Sequence, residues 1–173
     1  IRTPMNAIIG MSSLLLDSSL SAQQRDFVQT IRNSGESLLT IINDILDFSK
    51  IEAGKMELEK RSINTKNIAE NVVIIMRQKA DEKGLGLSLT ADENIPLFVI
   101  GDETRLSQIL LNLVGNAIKF TEQGEVVLNV SAKNTHQADK FEIIFSIRDT
   151  GIGISHDGMG RLFQSFSQAD SST

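Results

Sequence analysis

Apolar residues recur at Met5, Ile8, Ile9, Leu15 and Leu16, a spacing that puts them on one side of a helix and breaks at the polar cluster Asp17-Ser18-Ser19. A second helix is predicted just beyond. Ser21 and Gln24 stand three residues apart ahead of a long apolar run. The Ser hydroxyl can accept from the backbone N–H three residues on while the Gln amide reaches back. Ile31, Leu38 and Ile45 then repeat as a-type positions, with Phe27, Ile41 and Phe48 as d-type positions of the same heptads. Leu39, Ile42 and Leu46 widen the apolar surface beyond that seam. A helix of roughly 35 residues would extend about 50 Å, longer than a small core can cover. Two apolar faces predict a helical hairpin that dimerises into a four-helix bundle. The alternative is a monomeric hairpin lying on the rest of the chain.

The pattern changes after Ala53-Gly54-Lys55, where Met56-Glu57-Leu58-Glu59 alternates as a strand does. A boundary near Leu58 divides the chain into a helical hairpin over 1–58 and a second unit over 59–173. In the second unit Thr65 to Lys83 reads as a helix through Ile68, Val72, Ile75 and Met76. Gly84 to Thr90 reads as a strand with Leu85, Leu87 and Leu89 on one face. A short strand is expected at Phe98-Val99-Ile100, followed by a helix that Asp102 caps and that runs to about Phe120. Gly124 to Lys133 and Lys140 to Arg148 alternate as two further strands joined by a polar loop. The fold class is α+β, a long helical hairpin followed by an α/β sandwich.

Composition narrows the function. Lys+Arg 17 against Asp+Glu 22 gives a net charge of -5 in 173 residues, so no basic surplus exists to neutralise a phosphate backbone and nucleic acid is not expected as a partner. The longest aliphatic run, Val72 to Met76, is far short of the ~20 apolar residues that cross a bilayer, and no membrane contact is expected of this segment. With no cysteine, disulfides, thiolate metal sites and cysteine nucleophiles are excluded, and a reducing cytosolic setting is compatible. Phe 8, Trp 0 and Tyr 0 make any core aliphatic. The chain opens at Ile1 without Met and closes at Thr173 without a stop signal, and it reads as an excised piece.

The helix from Asp102 to Phe120 carries the first chemistry. At about 100° per residue, Arg105, Gln108, Asn112, Asn116 and Lys119 fall within about 80° of arc, beside an arc of Leu106, Ile109, Leu110, Leu113 and Ala117. A solvated polar face is the bland account of that stripe. Asn, however, is a poor helix former because its amide competes with the backbone, and two of them one turn apart cost stability unless they hold something. Asn112 and Asn116 offer hard carbonyl oxygens suited to Mg²⁺, which commonly takes the rest of its shell from water and substrate phosphates. Lys119 supplies a charge for phosphate. Asp149-Thr150-Gly151-Ile152-Gly153 follows a strand, so a carboxylate leads into a loop whose glycines permit positive φ and the close approach of a ligand. A buried Asp149 can accept from an exocyclic amine. An ordinary strand-to-turn Asp-Thr-Gly competes with that reading, but the two features together predict a nucleotide pocket with phosphate and metal at one end and adenine at the other.

These residues carry a resemblance. Ile1-Arg2-Thr3-Pro4-Met5-Asn6, the run Asn112 to Thr121, and Asp149 to Gly153 are similar, in order and spacing, to three successive boxes of sensor histidine kinases. The segments Asn43 to Gly54 and Leu162 to Asp170 also resemble the family, hybrid kinases especially. The resemblance covers essentially the whole chain. It implies a dimerisation and histidine phosphotransfer hairpin followed by an ATP-binding sandwich of the kind shared with gyrase, the Hsp90 chaperones and MutL. It also implies ATP and Mg²⁺ as cofactors, a homodimer, relay to an Asp of a receiver domain, and a cytoplasmic segment whose parent protein can be anchored in a membrane upstream. Carried over by position, Asn116 coordinates the metal, Asn112 and Lys119 meet phosphates or metal, and Phe120 lies in the same box. Asp149 takes the adenine amino group, and Gly151 and Gly153 shape the pocket's edge. Phe163 and Phe166 match a phenylalanine box, with two core aromatics as the competing account.

Two departures accompany the match. The phosphate-accepting His of the family precedes the Ile-Arg-Thr-Pro segment, so the acceptor is expected ahead of Ile1 and no catalytic residue is expected within 1–173. A second glycine-rich box is expected after Thr173, which leaves this piece by itself inactive. His136 and His156 both read as solvated loop residues. A nucleotide-hydrolysing relative on the same sandwich is one rival. It needs a Glu base where Asn112 stands, and an amide accepts no proton near neutral pH. A non-catalytic dimerisation and docking module is the other, against which Asn112, Asn116, Lys119 and Asp149 all argue.

Overall fold

A computed structural model of the chain describes residues 1–135 and 140–160. The chain forms two compact units, Ile1–Glu57 and Leu58–Thr173.

The first unit is a helical hairpin of α1 (Arg2–Leu16) and α2 (Ala22–Glu52). Ser21 and Gln24 close the expected capping box: the Ser21 hydroxyl accepts from Gln24 N at 3.3 Å and Gln24 Oε1 accepts from Ser21 N at 2.9 Å. Arg25 donates to the Leu16 carbonyl at 3.1 Å and so ties the start of α2 to the end of α1. The helices meet through small residues, since Ser12 and Gly35 are buried and a Cβ on Gly35 would lie 3.2 Å from Ile9 Cγ1. The heptad residues stay open, with Phe27 56%, Ile31 51% and Ile41 54% exposed.

The second unit contains β1 (Arg61–Ile63), α3 (Thr65–Glu82), β2 (Gly86–Ala91), β3 (Val99–Gly101), α4 (Glu103–Phe120), β4 (Glu125–Asn134), β5 (Phe141–Asp149) and α5 (His156–Met159). β4 is the central strand of a three-stranded sheet, parallel to β2 and antiparallel to β5, while β1 and β3 form a separate antiparallel pair. Val126, Leu128 and Val130 alternate inward from β4. Against them α3 contributes Ile68, Ala69, Val72, Val73, Met76 and Ala80, and α4 contributes Leu110, Val114, Ala117 and Ile118. The core is aliphatic, as the composition requires. Asn129 and Thr90, on the same strands, instead join by a 2.8 Å hydrogen bond. One face packed and one polar is the usual state of a sheet with antiparallel pairing.

Three expectations need correction. Met56 to Glu59 is not a strand, because a strand needs a ladder and β3 pairs only with Arg61, Ser62 and Ile63. Ile75 does not share the inward face of α3: it is 58% exposed, and Val73 and Ala69 take the core positions beside Val72. Ile109 and Leu113, expected on the apolar arc of α4, are exposed at 56% and 45%, and the buried arc is shifted toward Val114 and Ile118. The loop residues 136–139, His136 included, and the segment 161–173 with Phe163 and Phe166 lie outside the described residues.

Candidate functional site

α4 begins where expected. Asp102 Oδ1 accepts from Arg105 N at 3.0 Å, a helix N-cap, while its Oδ2 accepts from Glu59 N at 3.0 Å. One carboxylate thereby satisfies two backbone donors, and these bonds, that from Arg105 first, hold Asp102 below the usual carboxylate range. From that start the helix carries Asn112, Asn116 and Lys119, all exposed. Among the described residues neither Asn amide is engaged in a hydrogen bond. All three line a groove of about 460 Å³ between α3 and α4, together with Met76, Lys79 and Lys83. The Lys119 ammonium sits 5.0 Å from the centre of the Phe120 ring, within cation–π range.

The second half of the site meets the end of this helix. Asp149 closes β5, and its Oδ1 accepts from Gly151 N at 2.9 Å, a local turn in which a carboxylate orders the backbone two residues on. Ile152 N donates to the Phe120 carbonyl at 3.3 Å. A Cβ on Gly151 would collide with that same Phe120 oxygen and lie 2.9 Å from Asp149 Oδ1, so only glycine permits the loop to press against the helix end. Gly153 takes φ +68° in the left-handed region. Asp149 is exposed rather than buried, which corrects the expectation from sequence and leaves its carboxylate open to a ligand. His156 opens α5 as an exposed residue.

Phe120, Asp149 and Gly151 are thus gathered at the C-terminal end of α4, with Gly153 two residues further along the loop, and Lys119, Asn116 and Asn112 run back along the helix from there. Two contributors were missed by the sequence reading. Thr150 Oγ1 accepts from Glu125 N at 3.0 Å and donates to the Gln123 carbonyl at 3.1 Å, fastening the loop to the start of β4. Lys83 donates to the carbonyls of Ile118, Lys119 and Thr121 at 2.9, 2.8 and 3.2 Å. A lysine at the end of α3 signals only a favourable charge for that helix, and no local pattern points it at another one.

Among the described residues no three His, Cys, Asp or Glu side chains gather to hold a metal. The oxygen donors on α4 are neutral amides, a set that suits a hard cation arriving with phosphate rather than a resident ion. No helix among the described residues is long and apolar enough to cross a membrane.

Known proteins match both units of the chain. Residues 1–54 match the His Kinase A (phospho-acceptor) domain, and residues 101–173 match the histidine kinase-, DNA gyrase B-, and HSP90-like ATPase. The chain is 47% identical over 170 residues to hybrid signal transduction histidine kinase L of Dictyostelium discoideum, covering 98% of this chain and 10% of that protein. It is likewise 47% identical over 172 residues to the signal transduction histidine-protein kinase BarA of Escherichia coli K12, covering 99% of this chain and 19% of BarA. Among solved structures, full-length ShkA in complex with AMPPNP superposes with a TM-score of 0.78 at 38% identity, covering 98% of this chain and 35% of ShkA. The chain therefore belongs to the histidine kinases. It carries a phospho-acceptor domain followed by an ATPase domain, and it spans a tenth to a fifth of the two relatives just named.

Proposed function

We propose that this core binds ATP with Mg²⁺ and serves ATP-dependent phosphorylation of a histidine, from which the phosphoryl group passes to an Asp of a receiver domain. The observation that carries the reading is the contact of the Gly151-Ile152 backbone with the Phe120 carbonyl, which supports taking the amide stripe of α4 and the Asp149 carboxylate as parts of one site. In this reading Asp149 accepts from the adenine amino group, and Gly151 and Gly153 shape the rim. Lys119 and Asn112 meet the phosphates, Phe120 flanks them, and Asn116 and Asn112 take the metal. The ion, when bound, neutralises charge on the transferring phosphoryl group, and Lys119 adds a second positive charge on the same side. Asn112 supplies no base to activate water, which favours transfer to a side chain over hydrolysis. Neither His136 nor His156 belongs to the helical unit, the one that matches a phospho-acceptor domain, so neither is proposed as the acceptor. The exposed heptad seam supports a homodimer, and the cytoplasm is the compartment proposed for this segment. The AMPPNP bound by ShkA supports the choice of nucleotide.

Calorimetry on the full-length kinase tests both ends of the site. Asn116→Asp should chiefly impair metal-dependent ATP binding, whereas Asp149→Asn should weaken ATP and ADP alike. Unchanged affinities in Asp149→Asn would remove the adenine assignment. Acid-labile, base-stable phosphate on the full-length protein identifies phosphohistidine, and label on His136 or His156 would overturn the placement of the acceptor.

A further inference from the structure

The ends of the three long helices before β4 are closed in two ways. α2 and α3 each finish on a left-handed glycine, Gly54 at φ +63° and Gly84 at φ +67°. After α3, Gly84 N donates to the Asp81 carbonyl at 2.9 Å and Leu85 N to the Ala80 carbonyl at 3.0 Å; after α2, Gly54 and Lys55 repeat the pattern on Ile51 and Lys50. This backbone cap satisfies carbonyls that a helix C-terminus would otherwise leave without partners. α4 has no such glycine. Its chain leaves extended at Thr121, with φ -100° and ψ 125°.

The carbonyls of α4 are nonetheless accounted for. Thr121 Oγ1 donates to the Ala117 carbonyl at 2.7 Å, Lys83 Nζ donates to those of Ile118 and Lys119, and Ile152 N donates to that of Phe120. Ile118 and Lys119 occupy the same positions in α4 that Ala80 and Asp81 occupy in α3. An ammonium from a distant turn thus replaces the two backbone donors of a glycine cap. Its third proton goes to the Thr121 carbonyl, so all three donors of Lys83 are spent on this helix end and none is left for a ligand. A positive charge there also suits the helix dipole.

We infer that Lys83 is a positioning residue for nucleotide binding: by capping α4 from outside, it holds the turn that carries Lys119 and Phe120 in the geometry that meets the phosphates. The inference rests on the site proposed above. Lys83 acts through Lys119, whose own carbonyl it holds, so the effects of losing the two side chains overlap rather than add.

The test is ATP affinity of the full-length kinase, measured by calorimetry for Lys83→Met, Lys83→Arg, Lys119→Met and the double variant. Lys83→Met should lose about tenfold in ATP affinity, of the order expected when charge-assisted hydrogen bonds are removed. Lys83→Arg, which keeps a forked cation within reach of the carbonyls, should recover most of it. In the Lys119→Met background, Lys83→Met should cost less than about twofold, the signature of coupled residues. If Lys83→Met unfolds the protein, Lys83→Ala, which removes every donor and leaves the carbonyls to water, is measured in its place. Wild-type ATP affinity in folded Lys83→Met or Lys83→Ala overturns the inference, as does simple additivity with Lys119→Met, which would mark a general loss of stability. Asn116→Asp in the same titrations separates the two levels of the argument. If it loses ATP binding while Lys83→Met does not, only the role of Lys83 falls; if Asn116→Asp and Lys119→Met both bind normally, the site itself falls.

Discussion

Thr65 stands at the first turn of α3 with its hydroxyl buried and, among the described residues, without a hydrogen-bond partner. Removing such a group from water without compensation costs about 1–3 kcal/mol, while a methyl in its place fills the same space at no polar cost. Thr65→Val is therefore expected to stabilise the protein by about 1 kcal/mol in urea denaturation. A residue of opposite character is Gly151, where any Cβ meets the Phe120 carbonyl oxygen. Gly151→Ala should leave the fold intact and weaken nucleotide binding by about tenfold, roughly 1.4 kcal/mol, because the loop must withdraw from the helix end. Calorimetry beside a far-UV spectrum separates that outcome from unfolding.

Elements are held at their ends and crossings by single side chains. At the start of α4, Asp102 spreads its two oxygens over Arg105 N and Glu59 N, and an Asn there has one acceptor oxygen for two donors. Asp102→Asn should keep the cap and release the Glu59 segment. The lowered carboxyl also links stability to pH. Its folded pKa lies below the ordinary 3.8, so its contribution is fully present above 3.8 and fades as pH falls through the lowered value. Denaturation curves in that acid range should be steeper in pH for the parent than for Asp102→Asn. In the hairpin the crossing of α1 and α2 depends on Gly35, whose missing side chain makes room for Ile9 and Met5. Gly35→Leu forces these apart and should destabilise the hairpin by about 1–3 kcal/mol, the usual cost of overpacking, despite the better helix propensity of Leu.

For the whole molecule the open heptad seam has the largest consequence. Phe27, Ile31, Leu38, Ile41 and Ile45 are each about half exposed along one helix. A contiguous apolar stripe of that length is rarely left to water. A second copy of the hairpin would cover it, and light scattering should report a dimer. Leu38→Asp should shift it to monomer, since a charge buried in such a seam has no partner.

Much of this was legible in the sequence, and the reason is periodicity. Long helices with strong 3.6-residue patterns and explicit caps, α2, α3 and α4 among them, announce their bounds locally: Ser21 with Gln24 and Asp102 with Arg105 are contacts three residues apart. The amide stripe of α4 and the Asp149 loop were likewise legible, because one helix face and one strand end suffice to define them. What local pattern cannot decide is which neighbour arrives. The alternation at Met56 to Glu59 found no ladder, whereas Arg61 to Ile63 did, because β3 offered its three residues there. Ile75 and Ile109 fit the apolar arcs of their helices yet face outward, since the sheet covers only part of each arc. Lys83 reaches carbonyls 35 to 38 residues away, a contact that only the packing of α3 against α4 creates. The sequence by itself determined the elements and the chemistry along each; tertiary structure alone decided burial, strand pairing and the joining of Phe120 to Gly151, because those depend on surfaces brought together from distant parts of the chain.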